Sequence, residues 1–365
     1  MGLNCGIVGL PNVGKSTIFS ALTASQAEVA NYAFCTINPN VGIVNVPDSR
    51  LAQISSLIPP QKIIPATVEI VDIAGLVKGA SQGKGRGNQF LSNIREVNAI
   101  IHVTRCFENP DIEHVENRVD PVNDKEIINL ELALADLELV QKKIPQAEKM
   151  ARAQAKDAKE VLAILEGLRA HLDAGKPARS LPLTPEEREL VRDLHLITMK
   201  PMIYVANVDE ATLGKDNVHT LAIRAAAAEE KAELITICGK LEADIALLDD
   251  EEEKALFLAE AGLEEPGLSQ LVRAVYKILG LRTYFTAGVQ EVRAWTFHDG
   301  DRAPQAAGVI HTDFEKGFIK AEVYHCKDLF DLKSEAEIKA KGRLRIEGKE
   351  YVVQDGDVMH FRFNV

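Results

Sequence analysis

Gly9-Leu10-Pro11-Asn12-Val13-Gly14-Lys15-Ser16 is the stretch on which the reading of the whole chain turns. It follows an apolar run, Cys5 to Val8, and opens a helical stretch, Ser16 to Leu22, which is the strand-loop-helix setting of a phosphate-binding loop. The glycines let backbone N–H groups turn inward around a nucleotide β-phosphate, and the helix N-terminus adds positive potential. Lys15 would bridge the β- and γ-phosphates and Ser16 would hold Mg2+, while Pro11, Asn12, Val13, Gly14 and Thr17 complete the nucleotide-binding stretch. A glycine-rich turn with a solvated lysine is the bland alternative, and the flanking strand and helix argue against it.

Four more elements appear where a GTPase-like domain needs them. Asp72-Ile73-Ala74-Gly75 ends the run Val68 to Val71, so that Asp72 lies near the metal and the Gly75 N–H where a γ-phosphate would sit. Thr36 falls in the loop before the strand beginning near Val41, where its hydroxyl could reach Mg2+ and sense the γ-phosphate. Asn207-Val208-Asp209-Glu210 follows the run Met202 to Ala206, where GTPases carry N-K-x-D to read guanine. Here Val208 replaces the lysine and the longer Glu210 replaces the aspartate that accepts from two guanine donors, so the chief reason to prefer guanine is lost. Cys238-Gly239-Lys240 would be the second base-contacting loop.

Composition bounds the rest. With 365 residues, 46% hydrophobic and 26% charged, the chain is long enough for two or three cores. The N-terminus carries no secretory pattern and no apolar stretch approaches membrane-spanning length, so the expectation is a soluble, cytoplasmic protein without membrane association. Cys5, Cys35, Cys106, Cys238 and Cys326 are scattered and never form C-x-x-C, which argues against disulfides or zinc. A formal charge of −12 repels a polyanion, so RNA contact would need local basic patches such as Lys78, Lys84 and Arg86, or Lys341-Gly342-Arg343-Leu344-Arg345.

Short β-branched runs at Ile7-Val8, 42–46, 68–71, 100–103, 202–205 and 234–237 alternate with helical segments, the pattern of an α/β domain with a mostly parallel sheet. From about Ile127 the period becomes helical, with Leu130, Leu134 and Leu137 on one stripe and Val161, Leu165, Leu168 and Leu172 on another. The fold class is therefore α/β: a P-loop NTPase domain over 1–126 and 199–280, an inserted α-helical coiled-coil hairpin over 127–198, and a strand-rich C-terminal domain over 281–365.

Together these residues resemble the Obg-like ATPase (YchF) family over nearly the whole chain. The resemblance rests on the phosphate loop, Phe34-Cys35-Thr36-Ile37-Asn38-Pro39-Asn40, Asp72 to Ala80, Gly87-Asn88-Gln89-Phe90-Leu91 and the non-GTPase Asn207-Val208-Asp209-Glu210. The run Tyr284 to Gly288, through Ala294-Trp295-Thr296, to Ile310-His311-Thr312-Asp313-Phe314 is similar to that family's TGS domain, a ubiquitin-like β-grasp module. Ala33, where proline is expected, and Arg86, in an otherwise apolar place, depart from the pattern. The resemblance implies an ATPase that binds ATP and ADP, accepts GTP and GDP, and associates with the ribosome. A GTPase of the same fold, and an RNA- or ribosome-binding adaptor with incidental turnover, are the competing functions.

Hydrolysis needs a group that orients the attacking water, and Leu76, next to Gly75, has no hydrogen-bonding atom to do so. By family resemblance His114 is the candidate, acting with Lys15 and the Gly75 N–H. Asn12 could present its oxygen to K+ beside the phosphates. Cys35, beside Thr36, could couple thiol oxidation to the metal loop. The glycine-rich 79–87 segment could report nucleotide state.

Overall fold

The computed structural model describes residues 3–24, 40–73, 86–248 and 250–364. They divide into two compact units, one of residues 1–43 and 69–271, the other of residues 44–68 and 272–365.

The first unit is built on a six-stranded sheet of β1 (Asn4–Val8), β2 (Val41–Asn45), β4 (Thr67–Asp72), β5 (Ala99–Arg105), β6 (Met202–Asn207) and β7 (Glu233–Ile237), with β3 (Lys62–Ile64) lying elsewhere. Its order is β2-β4-β1-β5-β6-β7, and the pairs β1–β4, β1–β5, β5–β6 and β6–β7 are parallel. Every residue of β5 and β6 is buried, as expected for central strands covered on both faces. Ligands in such sheets bind beyond the carboxyl ends of the strands, and β1, β4, β5 and β6 all direct their C-termini toward the functional residues. Helices α1 (Lys15–Ala24), α3 (Arg86–Glu96), α7 (Val218–Glu229) and α8 (Gly239–Ala246) belong to this unit.

The helical insertion starts earlier than the leucine stripe suggests. Asp120 accepts from the Asn123 N–H and Pro121 occupies the first turn, so α4 runs Pro121–Arg152 and is followed by α5 (Ala158–Asp173). Leu130 and Leu134 are exposed, whereas Leu137, Val140 and Ile144 pack with Leu165, Leu168 and Leu172. The buried stripe of α4 is thus the one carrying Ala133 and Ala147, whose small side chains make a weak signal in sequence. The base of the insertion is held by buried polar contacts. Asp136 accepts from the Ile197 and Thr198 N–H groups and the Thr198 hydroxyl, and Glu230 accepts from Lys125, Arg179 and the Tyr204 hydroxyl.

The second unit has its own mixed sheet. After α10 (Gly267–Ile278) come β8 (Leu281–Ala287), β9 (Glu291–His298), β10 (Phe318–His325), β11 (Arg345–Glu347) and β12 (Asp357–Phe363), and the sheet order is β11-β10-β12-β8-β9-β3. The first and last C-terminal strands, β8 and β12, are parallel neighbours, and α11 (Ala303–Ile310) buries Ala303, Ala306 and Ala307 against Tyr284, Trp295, Phe297 and Phe318. This is the β-grasp arrangement anticipated from sequence. Residues 44–68 were not anticipated here. Their helix α2 (Ser49–Leu57), capped by Asp48, and strand β3, paired in parallel with β9, belong to this unit and not to the nucleotide domain.

Candidate functional site

The phosphate loop is shaped by what passes behind it. Gly14 has φ +93°, and a Cβ there would lie 2.1 Å from the Asn207 Nδ2, so glycine is required both for the backbone turn and for the approach of that amide. Asn207, buried at the end of β6, donates from Nδ2 to the Val13 carbonyl at 2.8 Å and accepts on Oδ1 from the Gly239 N–H at 2.9 Å. One amide side chain thus ties the phosphate loop, β6 and the start of α8 together. Asn12, also at positive φ, donates from Nδ2 to the Glu113 carbonyl at 3.1 Å, and among the described residues no donor meets its oxygen.

Lys15 opens α1 and its ammonium pairs with the Asp72 carboxylate. Ser16, beside it, is exposed at the start of the helix. A hydroxyl and a carboxylate at the end of a phosphate loop are hard oxygen donors that suit Mg2+, a metal that keeps several waters and needs few protein ligands. The cation now against Asp72 shows that this carboxylate is placed to meet positive charge. Ser16 and Asp72 are therefore the described residues that would hold the metal. Thr36, Gly75, Leu76, Cys35 and the glycine-rich segment up to residue 85 lie outside the described residues.

A cavity of about 580 Å³ extends from the phosphate loop, lined by Asn12, Gly14, Thr17, Asn207 to Ala211, Cys238 and Lys240. On the base side the carboxylates have other partners. Asp209 accepts from the Thr212 N–H and hydroxyl, and Glu210 pairs with Lys240 at 2.9 Å. Val208 and Cys238 are buried, and burial pushes the Cys238 thiol up. The Gly239 N–H, a candidate for the base, is already satisfied by Asn207.

The cavity is also walled by Phe107, Glu108, Asn109 and Ile112, which the sequence motifs did not single out. Their position directly after β5 was the available signal, since that strand ends next to the phosphate loop. His114 follows this wall and is buried. Its Nδ1 accepts from the Glu116 N–H at 3.2 Å, so the proton lies on Nε2, which donates to Asp124 Oδ2 at 2.9 Å. Both nitrogens are thus engaged, and the ring in this conformation faces α4. Burial pushes the Asp124 carboxyl up, against the opposing pull of its bond to His114.

A parallel sheet ending in a strand-loop-helix phosphate site, with lysine, serine and aspartate converging on it, defines a P-loop nucleoside triphosphatase. A family model described as a 50S ribosome-binding GTPase matches residues 4–143, and the model of the YchF GTPase C-terminal region, described as a protein of unknown function, matches residues 281–364. The ribosome-binding ATPase YchF of Bacillus subtilis (strain 168) is 55% identical over 367 residues, and that of Escherichia coli O157:H7 is 54% identical over 365, each alignment covering 100% of both chains. The solved structure of the Schizosaccharomyces pombe YchF GTPase superposes with a TM-score of 0.90 at 39% identity, covering 99% of this chain and 98% of that one. The chain belongs to the YchF family.

Among the described residues no helix is long and apolar enough to cross a membrane, and no group of three or more His, Cys, Asp or Glu side chains could hold a metal. The cysteines described, Cys5, Cys106, Cys238 and Cys326, are free and buried.

Proposed function

We propose that this chain is an ATP-hydrolysing switch that works on the ribosome, with Mg2+ held by Ser16, Thr36 and Asp72 and the attacking water oriented by His114. The observation that carries the nucleotide assignment is the base loop. Guanine recognition needs a carboxylate free to accept from N1–H and N2–H2, and here Asp209 is bonded to Thr212 and Glu210 to Lys240. Adenine, with an acceptor at N1, makes no such demand, so ATP is the preferred nucleotide and GTP binds more weakly. That the bacterial relatives are ribosome-binding ATPases supports the ATPase and ribosome assignments together.

For His114 to act it must release Asp124, and its neighbour Glu113, bonded to Asn12, places the segment against the phosphate loop. The free oxygen of Asn12 is the candidate ligand for K+. Direct RNA contact through the C-terminal basic run has less support, because Arg343 pairs with Asp328 and Arg345 with Glu347 and Tyr351. Free cysteines accord with a reducing, cytoplasmic setting.

Calorimetric titration with ATP and GTP, followed by turnover with and without ribosomes, tests the reading. ATP is expected to bind at least as tightly as GTP, and ribosomes to change turnover. GTP binding tenfold tighter than ATP would replace the ATPase with a GTPase, and turnover indifferent to ribosomes would favour an adaptor.

A further inference from the structure

Arg105 is the last residue of β5, in register with Asn207 on β6, and it is 1% exposed. Among the described residues no carboxylate bonds to it. Its guanidinium instead donates to three carbonyls of the following loop: Nε to Phe107 at 3.1 Å, Nη2 to Asn109 at 3.1 Å and Nη1 to Ile112 at 3.0 Å. The same group lies 4.6 Å from the centre of the Phe107 ring. Burial lowers the arginine's affinity for its proton, with Glu108 and Asp124 opposing.

A buried cation is costly unless its donors are met, so this arrangement has to organise something. Carbonyls pointing inward on a tight loop are also costly without donors, and each group satisfies the other. The loop so wound lines the candidate nucleotide cavity together with the base loop, and its downstream end carries Glu113, bonded to Asn12, and then His114. Only a planar fork of several N–H groups can meet three carbonyls in different directions; a lysine ammonium concentrates its donors at one point.

We infer that Arg105 is a positioning residue for ATP binding and hydrolysis: its guanidinium winds the 107–112 loop into the cavity wall and so sets where His114 is presented. The turnover arm rests on the proposed role of His114. The binding arm does not, because it depends only on the loop as a wall.

The test uses the full chain with Arg105→Lys and Arg105→Gln, alone and combined with His114→Ala, measuring ATP affinity by calorimetry, kcat, and thermal unfolding. Both variants are expected to weaken ATP binding and to lower kcat, each by on the order of tenfold, since a displacement of about 1 Å at a reacting group suffices for such losses. Lysine should rescue neither, because charge is kept but the fork is lost. In the His114→Ala background the Arg105 changes should cost less than about twofold in kcat, as expected for residues acting as one unit.

Wild-type ATP affinity in a folded Arg105→Lys protein would overturn the proposal, as would a kcat loss of the same size with and without His114. If His114→Ala alone has wild-type turnover, the His114 assignment falls, and the loss of ATP affinity alone then decides for Arg105. Should neither variant fold, hydrogen exchange on the unaltered protein decides: amides of 107–114 should slow together on adding ATP, and exchange indifferent to ATP would refute the proposal.

Discussion

The phosphate end and the base end of the cavity are secured by different kinds of contact. At the phosphate end Asn207, whose place on β6 is fixed by its register with Arg105, meets the Val13 carbonyl in the buried interior, behind a glycine that tolerates no side chain. At the base end Glu210 and Lys240 meet on the surface, with side chains about half or more exposed. Buried hydrogen bonds leave costly orphans when broken, whereas an exposed ion pair contributes little. The proposed catalytic geometry is thus anchored in the sheet, and the proposed base preference hangs on side chains that can change without disturbing it.

The comparison predicts a hierarchy of effects on nucleotide binding. Lys15→Ala should be the most severe, weakening ATP by at least about hundredfold through loss of charge-assisted bonds to phosphate. Circular dichroism and thermal unfolding should show the fold intact, because Lys15 faces Asp72 and not the core. Unchanged affinity in that variant would dissolve the phosphate end as a site.

Asn207→Ala should come next. The Val13 carbonyl and the Gly239 N–H lose their partner together, and each buried orphan costs about 1–3 kcal/mol. Both ATP and GTP should weaken, tenfold or more, alongside a lower Tm. A change in only one nucleotide would mean that Asn207 reads the base directly and is no structural clasp.

At the base end, Val208→Lys with Glu210→Asp should leave total affinity near its starting value and move the ATP-to-GTP ratio toward GTP by about 1–3 kcal/mol. Paired titrations measure it. The buried position of Val208 limits the shift, since a lysine there must find a route to solvent.

Glu230→Gln should have the smallest effect on nucleotide and serves as the reference for damage elsewhere in the same unit. Burial raises the Glu230 carboxyl, but bonds from Lys125 and Arg179 outweigh it and hold it below its ordinary value of 4.5. A carboxyl lowered on folding stabilises the native state fully above its unfolded value and loses that contribution as pH falls through the native one. The variant should therefore cost about 2 kcal/mol near neutral pH, and the gap from the parent should narrow as pH drops below 4.5. Denaturant unfolding across pH checks it, and a gap that widens in acid would mean that Glu230 is not held ionised by Lys125 and Arg179.

The candidate phosphate site was legible because the chemistry proposed for it is local: eight consecutive residues and Asp72 at a strand end would carry it. Arg105 and the wall it winds were not, because nothing in Arg105-Cys106-Phe107 marks an arginine whose partners are backbone carbonyls. His114 could be named through resemblance, but its attachment to Asp124 depends on where α4 begins. That start was signalled by Asp120 and Pro121, and the leucine stripe further on drew the boundary to 127. Lys62-Ile63-Ile64 was too short to announce a strand, and its partner β9 lies more than two hundred residues away.

That excursion of residues 44–68 determines how the protein can be cut. Boundaries drawn from the C-terminal family match, 281–364, would produce a fragment without β3 and α2. Such a fragment bares the outer backbone of β9, an open edge that invites pairing with other chains. It also strips Asp355 of its partner Arg50, which in the whole chain joins Asp355 to Asp48. A transplantable version of this module has to be spliced from two distant pieces of the gene, so a single truncation point cannot yield one.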